Sequence, residues 1–500
     1  MHTRTAASRD LSLQRVLPAG RLVGADELAV RTACHDWQQC RSGDLFVALF
    51  DGDRDTHHDA ARAVARGATG LLVERLLPLP VPQYIVPDTR EAYARLSMAL
   101  VGSPHESMTV IGVTGTCGKT STVALIESIL RHAGRNVAAL ADPLEIDAAG
   151  RARPRQIAIA TTMAELRERG TTEVVMEISS RSLATRDVAG LSFDVGVCTN
   201  LHRAHLAWHG NAVNYRRAKT RLLEQLKPQA QLLVNGNDRF ARKLASRSEH
   251  PVLYFGMGGD TELWAEVIER HPGEQTFLLN IGVDTFVVCT RIAGDGHIDN
   301  CLAATAAALS LGIDPLTIVK GLERVETIAG RLELLPGDEP CHVVVDVADS
   351  ADALAGALKA LRPITRGTLH CLVSGRHELD PKEYAALGRV AERYADHSVV
   401  TRHGKDRSPQ RSPFPESHWM LDGFERLAKA RVLPSRDAAI EWMLREARPG
   451  DTLLVAGHPD PMTTPAASFE ERKHIDDIRH QLVSEVGTFR TIRFPMASLN

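Results

Sequence analysis

The residues best suited to chemistry are Gly112-Val113-Thr114-Gly115-Thr116-Cys117-Gly118-Lys119-Thr120-Ser121-Thr122. An apolar run, Met108–Val113, precedes them, and apolar residues at helical spacing, Val123–Leu130, follow. That order predicts strand, glycine turn, helix. Such a turn lets backbone N–H groups close around phosphate oxygens at the positive end of a helix. Gly115, Thr116, Gly118 and Ser121 would line the cradle, Lys119 would reach the outer phosphates, and the Thr120 hydroxyl would face Mg²⁺. Five residues separate Gly112 from Gly118, one more than the strict pattern. The variant TGTxGKT(S/T)T is nonetheless more specific than a bare GKT. The expected ligand is ATP or GTP.

Further candidates lie downstream. Glu177 ends the apolar stretch Val174-Val175-Met176, which in a nucleotide-binding sheet sets its carboxylate at the edge that carries the phosphate turn. Thr199–Gly210 holds three histidines, His202, His205 and His209, just after a predicted strand. Such a loop can offer imidazole to a metal or a phosphate, or serve as hydrogen-bonded structure. Lys219 lies on the basic helical stretch Tyr215–Leu223, where structure, charge balance and catalysis all remain open.

The positioning elements follow an α/β pattern. At 500 residues the chain is long enough for about three domains of ~150 residues. We expect boundaries at 1–105, 106–330 and 331–500. The first hundred residues alternate apolar runs (Leu45–Leu49, Gly70–Val73, Tyr84–Val86) with helical patterns such as Asp59–Ala68 and read as a small α/β unit. Leu76–Pro82, with its prolines, reads as a stiff connection. From Thr109 to about Gly330, strand candidates at Thr109–Val113, Val137–Leu140, Glu173–Ile178, Asp194–Thr199 and Gln231–Val234 alternate with helices, which implies a largely parallel sheet. A second α/β series follows Arg331, with strands at His342–Asp346, Thr368–Val373, Ser398–Thr401 and Thr452–Ala456. Arg402–Pro415 reads as a long exposed loop.

Lys plus Arg total 59 against 62 acids, a net charge of -3, which gives no reason to invoke nucleic acid or an anionic membrane. No apolar run is long enough to span a bilayer. Eight cysteines without a CxxC pair argue against a zinc knuckle and a disulfide framework, and the cytosol is the simplest compartment.

Taken in order, TGTCGKTST, MEISS, TNLHRAHLAWHG, YRRAKTRLL, Asn300 before an alanine-rich helix, Gly330-Arg331 and VVVDVADSADAL resemble the Mur ligases, and within them the type that adds the third amino acid to UDP-N-acetylmuramoyl dipeptide. RSGDLFVAL and ARGATGLLVE are similar to that group's first domain. The resemblance implies three α/β domains: a small N-terminal one, a central P-loop parallel sheet with helices, and a Rossmann-like C-terminal one. It implies an ATP-dependent amide ligase of peptidoglycan precursor synthesis, working through an acyl phosphate on a UDP-N-acetylmuramoyl-peptide-like donor and an amino acid acceptor. Lys119 and Thr120 would meet the phosphates and Mg²⁺, with Glu177 and His205 also at Mg²⁺. Asn300 would lie near adenine, Arg331 at the γ-phosphate and Asp346 near the ribose. Thr161, Thr162 and Ser179 match donor-peptide contacts. Lys219 matches a lysine that reacts with CO₂, replacing an ammonium that repels Mg²⁺ with an anionic carbamate ligand.

The chain departs from that pattern in places. The first-domain Asp-Ser-Arg that contacts the uridine nucleotide reads Asp36-Trp37-Gln38. The His after the two serines is Arg181, an Arg before Val188 is Asp187, the acidic pair around the metal histidine is Ala204 and Ala207, and the P-loop Asn is Cys117. The arginine loop that holds a diamino acid falls on His403–Asp406, Lys-Gly-His-Glu on His458–Pro461, and the segment after Asp346 reads Val347–Ala351. Two readings fit: a divergent ligase with another donor or acceptor, or a paralogue without turnover that acts as a nucleotide-binding regulator. A folate-glutamate or poly-amino-acid ligase ranks below both, because Arg41–Leu49 points to the cell-wall members.

Overall fold

The computed structural model describes residues 10–51, 54–141, 155–202, 206–337, 341–375, 379–402, 416–459 and 465–490. It has three main sheets. The first orders its strands β1 (Arg21–Val23), β5 (Gln83–Ile85), β4 (Gly70–Val73), β3 (Leu45–Val47), β2 (Ala33–Cys34), antiparallel only at β1–β5. Helix α1 (Thr89–Leu100) packs on it, started by Asp88, whose carboxylate accepts from the N–H groups of Arg90 and Glu91.

The central sheet is organised around β6 (Thr109–Thr114), which feeds α2 (Lys119–His132). Its order is β7 (Val137–Leu140), β8 (Glu173–Ile178), β6, β9 (Phe193–Cys198), β10 (Leu226–Asn235), β11 (Val252–Met257), β12 (Leu263–His271), β13 (Glu274–Ile281), β14 (Asp284–Thr290). The strands pair in parallel from β7 to β12. Alternate residues serve two cores: Ile111, Val113, Val175, Val197 and Leu233 on one face, Val110, Val174, Met176, Ile178 and Val234 on the other. With both faces covered, these strands read as continuous apolar runs. The first face packs on α2 and on α6 (Asp295–Ser310), whose buried stretch Cys301–Ala308 is mostly alanine, so the helices approach closely.

The expectation of β/α alternation up to Gly330 requires one correction: β12, β13 and β14 form an antiparallel meander at one edge. Leu263 and Ala265 point inward while Glu266 and Glu269 face water, so no apolar run marks β12. The cysteines require another, because Cys34 and Cys40 are disulfide-bonded. A tight turn through Trp37–Gln39 brings the pair together, and their spacing alone does not advertise it.

The third sheet runs β15 (Glu333–Leu334), β16 (His342–Asp346), β20 (Thr452–Ala456), β17 (Leu369–Val373), β18 (His397–Val400), β19 (Ala430–Val432), parallel except at β15–β16. Helices α7 (Ala351–Leu361), α8 (Arg436–Glu446) and α9 (Pro465–Arg490) cover it. The expected Arg402–Pro415 loop falls almost wholly outside the described residues.

A buried charged cluster ties these strand ends to α8 and α9. Arg436 donates from Nε and Nη2 to the two oxygens of Glu471 (2.6 and 2.9 Å), from Nη2 to the Ala456 carbonyl (3.1 Å) and from Nη1 to Ser374 Oγ (3.3 Å). His458, with no exposed surface, pairs through Nδ1 with Glu471 Oε1 (2.8 Å) and through Nε2 with Ser468 Oγ (2.9 Å). Burial raises the Glu471 acid, but the Arg436 charge and the bonds from His458 and Arg436 outweigh it, leaving the acid at about 2 against an ordinary 4.5. A carboxylate depressed in the folded state contributes stability above its unfolded value and loses it as pH falls through the folded one. We therefore expect about 3 kcal/mol of stability to disappear between roughly pH 4.5 and 2. Urea melts across this window should show the loss in the wild type and a clearly smaller slope in Glu471→Gln.

Candidate functional site

Four residues, Gly115 to Gly118, join β6 to α2, and neighbouring side chains leave them little room. A Cβ on Gly115 would lie 1.9 Å from Thr199 Oγ1, and one on Gly118 would lie 2.1 Å from Asn300 Oδ1. Gly118 also has φ +86°, a left-handed conformation that suits glycine. The residues after β9 hold the turn. Thr116 N–H donates to the Asn200 carbonyl (3.0 Å) and Cys117 N–H to Asn200 Oδ1 (2.9 Å). The Cys117 carbonyl accepts from Thr199 Oγ1 (2.7 Å) and Asn200 Nδ2 (3.1 Å). Thr116 Oγ1 meets the Tyr215 hydroxyl at 2.8 Å.

With Thr116 and Cys117 committed to Asn200, the N–H groups at the start of α2 lack intrahelical acceptors and face the mouth of the turn. Lys119 curls over that mouth, donating to the carbonyls of Gly115 (3.2 Å) and Thr116 (3.4 Å). Ser121 is buried on α2, and Thr122 Oγ1 lies 3.4 Å from Asn300 Oδ1. Arg331 crosses from the third unit, donating from Nη2 to Thr120 Oγ1 (2.9 Å). Lys119, Thr120, Asn300 and Arg331 thus gather at one turn. Burial pushes the Cys117 thiol up to about 11, with Asp346, Asp349 and Asp352 reinforcing the shift against Lys119.

Lys219 is 1% exposed on α5 (Ala212–Thr220). Its Nζ donates to Thr114 Oγ1 (2.9 Å), the Gly115 carbonyl (3.0 Å) and the Ile178 carbonyl (3.5 Å), so it sits where β6 and β8 end. Glu177, a largely buried residue, adjoins this point in register with Val113, and no described residue donates to its carboxylate. A carboxylate without a donor among the described residues, helix-start N–H groups without intrahelical acceptors and two glycines at a crowded turn suit a phosphate chain and a divalent cation.

The two described histidines, His202 and His209, take different partners. His205 lies outside the described residues. His202 Nδ1 is 3.7 Å from Asp238 Oδ2. His209 pairs with Ser180 Oγ (2.9 Å) and stacks edge-on with Trp208 and Tyr215. Burial, helped by the Lys219 charge, pushes His209 down to about 4, so it is neutral near pH 7.

Ser179 caps α4 (Ser180–Ala184), accepting from Ser182 N–H at 2.9 Å. Thr161 and Thr162 lie within α3 (Arg155–Glu168), whose first residues reach α4 and the turn after it: Arg155 Nη1 donates to Ser182 Oγ (3.3 Å) and Gln156 Nε2 to Asp187 Oδ1 (2.7 Å). Asp346 accepts from the N–H groups of Leu332 and Ala348, both at 2.7 Å. It therefore braces the segment carrying Arg331. Burial raises its acid, with Arg331 opposing.

Sequence reasoning missed Asn200 and Tyr215. Asn200 lies two residues past the end of β9, and Tyr215 precedes Lys219 by one helical turn on the same face, signals that a search for turn-supporting residues would catch.

Comparison with known proteins agrees with this geometry. Residues 113–308 match the Mur ligase middle domain and residues 330–458 the Mur ligase, glutamate ligase domain. The UDP-N-acetylmuramoyl-L-alanyl-D-glutamate--2,6-diaminopimelate ligase of Geobacillus kaustophilus is 32% identical over 436 residues, covering 84% of this chain and 88% of that protein. The chain belongs to the Mur ligase family. It is, with that family, an ATP-dependent ligase that forms amide bonds. The protein of the same name in Geobacter metallireducens is 31% identical over 506 residues, covering 95% of this chain and 98% of its own. Among solved structures, a UDP-N-acetylmuramoyl-L-alanyl-D-glutamate--2,6-diaminopimelate ligase superposes with a TM-score of 0.63 at 22% identity, covering 94% and 99% of the two chains. The three-sheet architecture is that of the family.

Gly118→Ala should weaken ATP binding by at least about tenfold, since alanine pays about 1–2 kcal/mol for the left-handed backbone and also collides with Asn300. Calorimetric titration with a non-hydrolysable ATP analogue checks this, with a thermal melt to verify folding. Wild-type affinity in the folded variant would remove the turn from the nucleotide site.

Proposed function

We propose that this chain extends a UDP-N-acetylmuramoyl-dipeptide-like donor by one amino acid and does so in the cytosol, with units 1–105, 106–330 and 331–500 serving donor, ATP and acceptor. The observation that carries the reading is the meeting of Arg331 with Thr120 across two units, over a turn that also holds Lys119 and Asn300. A guanidinium and an ammonium at one helix start suit phosphoryl transfer, where charge spreads over the transferring oxygens.

In this reading the α2 N–H groups and Lys119 hold the β- and γ-phosphates. Arg331 steadies the γ-phosphoryl group while a donor carboxylate oxygen attacks it. The acyl phosphate and ADP result, and the acceptor amine then displaces phosphate to form the amide. Glu177, Thr120 and His205 would hold Mg²⁺, which when bound neutralises phosphate charge. Lys219 would act as its carbamate, bringing an anionic oxygen beside Glu177. Asn300 would meet adenine, while Thr161, Thr162 and Ser179 would face the donor peptide.

The acceptor end differs. His458 is shut inside the Arg436–Glu471 cluster, and the arginine that would grip a second carboxylate is absent from His403–Asp406. We therefore read the acceptor as an amino acid other than meso-diaminopimelate.

Mg²⁺-dependent phosphate release from ATP should require both UDP-N-acetylmuramoyl-alanyl-glutamate and one amino acid from a panel, with a product heavier by that residue. ATP binding without turnover under every condition would favour a regulatory paralogue. Selective stimulation by meso-diaminopimelate would overturn the acceptor assignment. Lys219→Ala should lower the rate by at least about 100-fold, and acetate or formate should restore part of it by supplying the missing carboxylate. An undiminished rate would place Lys219 outside the chemistry.

A further inference from the structure

The first unit carries a cysteine pair that the ligase chemistry does not use. Cys34 closes β2 and Cys40 follows the turn after it; both are buried, and their Cα atoms lie 5.8 Å apart, within the range disulfides adopt. The other six cysteines are free thiols. Between the pair lies Asp36-Trp37-Gln38, the segment standing where the resemblance places uridine-nucleotide contacts.

With the disulfide formed, the Asp36 carboxylate is turned onto its own loop. Oδ1 accepts from Gln38 N–H and Oδ2 from Gln39 Nε2, both at 2.9 Å. The Gln39 and Cys40 N–H groups close the turn onto the carbonyls of Asp36 and Trp37 (3.0 and 3.3 Å), and the Arg62 guanidinium lies over the Trp37 ring. Turning the carboxylate out of the loop toward a nucleotide means releasing these donors. A covalent bridge across the turn opposes that release, because it removes the open conformations available to the reduced loop.

We propose that Cys34 and Cys40 form a reversible thiol–disulfide modification site that closes the 35–39 loop and weakens engagement of the donor's nucleotide. The donor part rests on the function proposed above; the thiol chemistry does not. The co-reactant is a low-molecular-weight disulfide such as oxidised glutathione. One cysteine thiolate attacks a sulfur of that disulfide, giving a mixed disulfide and releasing one small thiolate. The second cysteine thiolate then displaces the other small thiolate and forms the Cys34–Cys40 bond. The protein loses two electrons and two protons, and one small disulfide becomes two thiols. In a reducing cytosol the dithiol is the resting form, so oxidation acts as a brake.

Asp44 lies close by, so that its carboxylate and both sulfurs sit within 4.8 Å of one another, which makes a bound metal the competing occupant. Its oxygens, however, already accept from Thr32 Oγ1 and from Arg41 N–H (2.8 Å). Three candidate ligands also fall short of a closed structural zinc site.

Trypsin isolates both cysteines on one peptide, Thr32–Arg41, bounded by Arg31 and Arg41. After full-length protein is equilibrated in glutathione buffers of graded potential, the unreduced peptide should lose two hydrogen atoms as the buffer becomes oxidising and regain them with dithiothreitol. Amides 35–40 should exchange more slowly in the oxidised protein. The KM for UDP-N-acetylmuramoyl-alanyl-glutamate should rise about tenfold on oxidation while that for ATP stays constant. Cys34→Ser/Cys40→Ser should abolish the donor effect. A peptide that never changes mass, equal exchange in both states, or one equivalent of zinc by elemental analysis shielding both thiols would each overturn the proposal. If the UDP-linked donor binds neither state, the function reading fails, and the peptide and exchange data still decide the disulfide.

Discussion

Between Thr114 and Lys119 the backbone turns through space that other side chains already occupy. Thr199, Asn200, Asn300 and Tyr215 come from three different segments; the first two and Tyr215 hydrogen-bond atoms of the turn, and Asn300 fills the space beside Gly118. The constraint is mutual. Asn300 can rest where it does because Gly118 has no Cβ, and the turn can stay open to phosphate because Asn200 takes the N–H groups that point away from the mouth. Lys219 adds a second condition, since a buried amine is tolerable only with acceptors around it. It finds them in Thr114, Gly115 and Ile178, so the seating of α5 is coupled to the ends of β6 and β8.

Much of the fold was legible because parallel strands covered on both faces must be apolar along their length. Gly70–Val73, Val137–Leu140, Glu173–Ile178, His342–Asp346 and Thr452–Ala456 stand at the residues their sequence indicates. The same physics hid the β12–β14 meander. A strand with one wet face carries charges at every second position, and Leu263–His271 ends in a run of polar residues that gives no apolar signal. The Cys34–Cys40 bond was hidden because it depends on a turn rather than on a spacing motif.

The site was legible where one local segment does the work and opaque where distant segments meet. The glycine turn announces itself, since its function is written in consecutive residues. Residue type alone does not separate the three histidines, and of the two described ones His209 pairs with Ser180 while His202 lies toward Asp238. Asp346, expected near the ribose, also accepts from the N–H groups of Leu332 and Ala348, a bracing contact that no local pattern announces. The left-handed backbone of Gly330 and Leu332 makes that brace necessary, because it fixes the direction in which Arg331 leaves the chain.

Departures from the family pattern crowd after β16, β18 and β20 and in the Asp36–Gln38 loop, whereas Gly115, Gly118, Lys119 and Thr120 of the phosphate turn stay and Cys117 is the turn's one change. Phosphoryl transfer needs oriented N–H groups and cations whatever acid or amine is joined, so that end tolerates little change. Recognition of the joined molecules needs side chains matched to their particular groups. At β20 the match is altered by burial itself: Arg436 and Glu471 satisfy one another and draw in His458, leaving none of the three directed at an incoming carboxylate. Breaking such a cluster would strand a buried charge at a cost of about 3–5 kcal/mol, so these strand ends resist change by a single substitution. A change of acceptor accounts for that more economically than a loss of turnover, since a chain free of catalysis would have no reason to hold Arg331 against Thr120.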